Sequence, residues 1–117
     1  MNQLTTLQSR LQDPSLFVTK GFLAGEWTDG ENNATFEVIN PSKEDVIANV
    51  ADFSRSQVAE AIMRANTAQK SWAKLTGKER AKILRCWFDL MIDNREDLAI
   101  ILTSEQGKPL AEARAEI

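Results

Sequence analysis

A chain of 117 residues has room for one small domain, and an apolar fraction of 43% is that of a folded protein rather than a disordered one. Its 14 basic and 17 acidic residues are interspersed and leave a net charge of -3, which argues against a nucleic-acid partner, since that calls for a clustered basic stripe. One cysteine and no histidine exclude an internal disulfide and a Cys/His zinc site, while the absence of a basic, apolar leader and of a long apolar run sets the expectations of no membrane partner and a cytoplasmic location.

Residues 1–21 read as an N-terminal arm or helix, because Leu4, Leu7 and Leu11 recur at spacings of three and four. Residues 22–53 read as a β meander or hairpin region. Phe22 to Thr28 is expected as one strand, broken by the turn pair Asp29-Gly30, with Asp29 to Asn33 as an irregular hairpin loop. Thr35 to Ile39 is a second strand, Asn40-Pro41-Ser42 a turn, and Val46 to Ala51 a third strand. A three-stranded antiparallel meander is the simplest arrangement of these pieces.

Residues 54–117 read as helical. Ser54-Arg55-Ser56-Gln57 is a capping box, in which the serine hydroxyl accepts from the third helical amide and the glutamine reaches back to the serine amide. Val58, Ala61, Ile62, Ala65 and Gln69 follow on one face. Thr76-Gly77-Lys78-Glu79 is a second box, ahead of a stripe formed by Ile83, Leu84, Trp87, Phe88 and Met91. Asn94-Arg95-Glu96-Asp97 is expected to start a third helix in the same way and to carry Leu98, Ile101 and Leu102 inward. Gly107 suits a left-handed cap that ends it, and Pro109 suits the first turn of a fourth helix. That last helix, Leu110 to Ile117, ends on an apolar residue with no terminator, which reads as a helix cut short.

The chemistry-bearing residues are few. With no histidine, neither a Ser-His-Asp nor a Cys-His pair can be assembled. The five glycines (Gly21, Gly25, Gly30, Gly77, Gly107) lack the spacing of a dinucleotide-binding loop. Cys86 lies well inside a helix, at the flank of the apolar stripe, where a thiol acts as a small hydrophobe rather than a low-pKa nucleophile. Trp27, Trp72 and Trp87 read as core or interface anchors rather than a base-stacking platform. Asn33-Ala34-Thr35 matches a glycosylation acceptor by accident in a chain without a secretion signal. Glu105, Glu112 and Glu116 read as solvated helix surface.

Several segments, read in order, resemble the N-terminal region of the aldehyde dehydrogenase superfamily. They are Gly25-Glu26-Trp27, then Val38-Ile39-Asn40-Pro41-Ser42, then the alanine-rich helix closing on Trp72, and then Glu79-Arg80-Ala81-Lys82-Ile83-Leu84-Arg85. The sharpest is Glu105-Gln106-Gly107-Lys108-Pro109-Leu110-Ala111-Glu112-Ala113, which is similar to succinate-semialdehyde dehydrogenases, as is Arg85-Cys86-Trp87-Phe88-Asp89-Leu90-Met91.

The resemblance implies an α/β fragment of that fold: a small antiparallel sheet portion, three or four helices and no complete Rossmann crevice. It implies a longer parent that oxidises succinate semialdehyde to succinate, or another small aldehyde. In that family a cysteine thiolate attacks the aldehyde, NAD or NADP takes the hydride, and a glutamate activates water. The family's cysteine, glutamate, active-site asparagine and cofactor-binding lysine match no position here, so no catalytic or cofactor-binding residue is assigned. The family's monovalent-cation site maps onto Val38, Ile39 and Glu105, through oxygen ligands. The chain alone is expected to bind no cofactor, to be inactive and to self-associate. A non-catalytic binding or assembly module is the alternative.

Overall fold

The computed structural model describes residues 6–117. The order is two 3-10 turns (Gln8–Arg10 and Pro14–Leu16), strands β1 (Gly21–Leu23) and β2 (Glu26–Thr28), a 3-10 turn (Glu31–Asn33), strands β3 (Thr35–Ile39) and β4 (Val46–Ala51), and four helices. These are α1 (Arg55–Trp72), α2 (Gly77–Asp93), α3 (Arg95–Gln106) and α4 (Leu110–Glu116). Among the described residues every strand pair is antiparallel, so the expected fragment with a small antiparallel sheet portion, four helices and no Rossmann sheet is what the chain forms.

The β region differs from the meander in one way. It consists of two separate two-stranded sheets, β1 with β2 and β3 with β4. The single strand expected over Phe22 to Thr28 folds back on itself at Ala24-Gly25, where both residues have positive φ (50° and 86°), as a two-residue type I′ turn requires. Ala24 carries a side chain into that region, so the pair lacked the Asn-Gly or Asp-Gly signature that would have marked it. Asp29-Gly30, read as the break in a hairpin, instead links the two hairpins, with Gly30 extended at φ -60° and ψ 154°. Two hydrogen bonds tie the linked pieces: Ala51 N–H to Thr19 O at 2.8 Å and Asp52 N–H to Ala34 O at 2.9 Å.

The arm is also not a regular helix where it is described. Leu7 and Leu11 are buried as expected, at 6% and 7% exposed, but on irregular turns; Leu4 lies outside the described residues.

Both capping boxes form. Gln57 N–H donates to Ser54 Oγ at 3.2 Å while Gln57 Oε1 accepts from Ser54 N–H at 3.0 Å. The same Gln57 side chain also accepts from Glu31 N–H and donates to Asp29 O, so it fastens α1 to the hairpin link. At α2, Glu79 Oε2 accepts from Thr76 N–H at 2.7 Å, which holds its carboxyl below the usual carboxylate range, the Thr76 hydroxyl adding a further bond. The third box does not form. The Asn94 side chain makes no cap bond to α3 and instead donates to Leu90 O at the end of α2, and Asp97 is turned toward the arm.

The packing is uneven. Among the described residues the buried side chains are those of Leu7, Leu11, Asp97, Ala99, Ser104 and Ala113, all from the arm, α3 and α4, and the one other buried residue is Gly30 in the link between the hairpins. Helices α1 and α2 contain none. Ile62, Met63, Trp87 and Leu90 are each more than 60% exposed, and Ile83, Leu84 and Phe88 are close to half exposed. Thus the α2 stripe is real in register but uncovered, and Trp87 and Cys86 stand in solvent rather than in a core. The accessible surface is 8923 Å², against about 6,400 Å² for a folded monomer of this size. The radius of gyration, 16.8 Å, exceeds the about 13 Å of a close-packed domain.

Candidate functional site

The three residues assigned to a cation lie on two elements that the fold brings side by side. Val38 and Ile39 end β3, where the pairing slips by one residue: Val38 faces Ala48 while Ile39 faces Val46. That irregularity leads into a tight turn. Asn40 N–H donates to Asp45 O at 2.9 Å, Glu44 N–H donates to Asn40 O at 2.8 Å, and the Asn40 side-chain oxygen accepts from Ser42 N–H at 2.9 Å. Asparagine thus closes its own turn, and Pro41 follows with no N–H to satisfy.

Glu105 comes from the last turn of α3. Gly107 ends that helix at φ 83° and ψ 4°, the left-handed cap expected of it, with its N–H donating to Thr103 O. A Cβ at Gly107 would lie 2.7 Å from Pro41 Cγ. The missing side chain therefore serves two ends: it permits the positive φ, and it lets the Asn40-Pro41 turn close on the end of α3.

Glu105 is the one acidic residue of the three, and burial around its carboxyl pushes the pKa up. A nearby cation would act in the opposite direction. Among the described residues no three His, Cys, Asp or Glu side chains cluster as a metal site, so a cation here would depend on backbone oxygens. The Thr103 hydroxyl, one turn back on α3, is buried with no hydrogen-bond partner.

The remaining residues singled out in the sequence are scattered. Cys86 is exposed on α2, away from this junction in sequence and on a different element. Glu112 and Glu116 are exposed on α4, with Glu116 paired to Lys108. Trp27 stacks obliquely on its cross-strand neighbour Phe22, ring centroids 5.0 Å apart, and both rings are mostly exposed. Gly25 and Gly107 occupy turns, Gly21 a strand, and Gly77 the first turn of α2, so no loop gathers them around a phosphate. Sequence reasoning missed Asp97, whose buried carboxylate seats the arm. Its only signal was its place at the third position of a helix, which pointed to capping instead.

Comparison with known proteins supports the order of motifs. Residues 27–117 match the model of the aldehyde dehydrogenase family. Over 92% of its length the chain is 45% identical to a glutarate-semialdehyde dehydrogenase of Pseudomonas putida and 44% identical to an NADP(+) succinate-semialdehyde dehydrogenase of Escherichia coli, covering 22% of each. A crystal structure of an aldehyde dehydrogenase from Brucella melitensis biovar abortus superposes with a TM-score of 0.88 at 48% identity, covering 92% of this chain and 22% of that one. The chain thus spans about a fifth of the relatives it matches, and the family's catalytic cysteine and full active site lie outside it. With helices, hairpins and motif order all in agreement, the chain belongs to the aldehyde dehydrogenase family.

Proposed function

We propose that the chain is the N-terminal part of an NAD(P)+-dependent dehydrogenase acting on a short aldehyde that carries a carboxylate at its far end, with succinate semialdehyde as the first choice. The observation that carries this reading is the company the chain keeps: relatives named for succinate and glutarate semialdehydes match it at 44–45% identity over 92% of its length. The two substrates differ by one methylene, a difference worth about 1–3 kcal/mol in a binding pocket. The shared carboxylate is thus the firmer inference than the chain length, and a cytoplasmic location follows as part of the same proposal.

In this reading the bound nicotinamide cofactor supplies hydride acceptance, and residues 6–117 do not touch the reacting carbon. Their contribution is to hold the Asn40-Pro41 turn against the Gly107 cap. Carbonyl oxygens of Val38 and Ile39, with an oxygen of Glu105, then furnish ligands to a monovalent cation that ties β3 to α3. Small hard cations take oxygen donors of this kind.

The test is an assay of the longer polypeptide carrying this segment, with succinate semialdehyde, glutarate semialdehyde and the uncharged butanal. Both semialdehydes are expected to exceed butanal in kcat/KM by about a hundredfold or more, since a site built for a polar group rejects the analogue lacking it. Equal or better turnover of butanal would overturn the reading. Running the assay in potassium and in tetramethylammonium salts tests the cation: Glu105→Gln should abolish any advantage of potassium.

The exposed α1 and α2 faces favour a second property, self-association of the 117-residue chain on its own. The excess surface, about 2,500 Å², is what a sizeable protein interface buries. Sedimentation of the isolated chain is expected to give dimers or larger species, and a concentration-independent monomer would refute it.

A further inference from the structure

Asp97 stands at the third position of α3, where a carboxylate ordinarily turns back to cap its own helix. Here it is 4% exposed and serves another segment. Its Oδ1 accepts from Gln12 N–H at 2.9 Å and its Oδ2 from Asp13 N–H at 2.8 Å. Both carboxylate oxygens are thus committed to two successive backbone amides more than 80 residues away in the chain.

The segment held this way has little regular structure of its own. It contains the 3-10 turn Gln8–Arg10 and runs into a second at Pro14–Leu16, a form seldom stable in isolation. The backbone amides of Arg10, Leu11, Leu16 and Phe17 all bond within the segment and give it no ladder to either hairpin. Leu7 and Leu11 add apolar anchorage. On its other side, Thr6, Leu7 and Arg10 wall a cavity of about 290 Å³, together with Asn40, Asp45 and Ser104. That cavity lies beside the junction of the Asn40-Pro41 turn with the end of α3.

We propose that residues 6–13 form a latched strap, with Asp97 as the catch. Losing the two amide bonds frees the strap as a unit and opens the cavity, while both hairpins and α1 to α4 stay folded. Segments with few long-range backbone bonds open at lower free energy than the core, and here the Asp97 side chain supplies two bonds that reach across to α3.

The test is hydrogen exchange of the 117-residue chain followed by mass spectrometry. Asp97→Asn keeps the shape but offers one acceptor and one donor, so its amide N–H2 faces a backbone N–H. Exchange over residues 10–13 should quicken on the order of tenfold to a hundredfold, with Ile100 to Thr103 in α3 unchanged. Glu96→Gln is the control, since Glu96 pairs with Arg114 rather than with the strap, and it should leave residues 10–13 as they were. In the unmodified chain Gln12 and Asp13 should exchange together, and faster than the interior of α3. The latch is overturned by unchanged exchange in Asp97→Asn, by an equal effect of Glu96→Gln, or by Gln12 and Asp13 exchanging only at the rate of the α3 interior in the unmodified chain.

Discussion

The two halves of the helical region are built to the same local standard and packed to different ones. Helices α1 and α2 have complete capping boxes, 18 and 17 residues, and no buried side chain. Helices α3 and α4 have 12 and 7 residues and no side-chain cap bond, yet they hold Asp97, Ala99, Ser104 and Ala113 out of water. The short pair is tied end to end: Arg95 Nε donates to Arg114 O at 2.7 Å, and Arg114 Nε donates back to the Glu96 carboxylate at 2.9 Å. Good caps therefore define where a helix runs without giving it anything to pack against. Small residues such as Ala99 and Ala113, each fully buried, mark close approach better than a stripe of large ones does.

That contrast can be tested by the same substitution in each region. Leu11→Ala removes a side chain that is 7% exposed and should cost about 2–4 kcal/mol in denaturant unfolding. Leu84→Ala, at 51% exposed, should cost less than about 1 kcal/mol. Equal costs would show that the α2 stripe is covered in solution, and the self-associated species is then the one being unfolded.

The junction between β3 and α3 offers a sharper point. Gly107→Ala places a methyl group 2.7 Å from Pro41 Cγ on a residue at φ 83°. A left-handed residue costs about 1–2 kcal/mol once it carries a Cβ, and the contact with Pro41 adds to it, so a loss of about 2 kcal/mol or more is expected in the same unfolding experiment. A neutral result would mean that the turn and the helix end are not held together.

The smallest effect belongs to the open region. Thr76→Ala removes one cap of α2 and should cost about 1 kcal/mol, read as a drop in helical circular dichroism at a fixed denaturant concentration. The same cap carries a pH signature. Glu79 has a lowered pKa in the fold, so its contribution is fully present above the ordinary glutamate range and is lost as pH falls through the lower, folded value. Helix α2 should loosen as pH falls below the ordinary glutamate range, and Glu79→Gln should flatten that part of the profile.

Much of this was legible in the sequence because it is settled within three or four residues. Ser54 with Gln57, Thr76 with Glu79, and Gly107 after Gln106 set the helix limits. The β-branched runs named the members of the β3–β4 hairpin, and the order of short motifs named the family. Where two local solutions compete, the sequence is silent. The Ala24-Gly25 turn gave no strong signal because alanine seldom takes a positive φ, and so one expected strand became a hairpin and a meander became two sheets. Asp97 could cap its helix or seat a distant strap, and only the arrival of Gln12 and Asp13 decides between them. The Asn40-Pro41 turn after Val38 and Ile39 meets the helix end that carries Glu105 only because Gly107 lets Pro41 approach. Which apolar face finds cover is the least local question of all, since burial depends on what the rest of a fold brings to it. The α2 stripe was correctly phased by its sequence, and its exposure was decided entirely by tertiary structure.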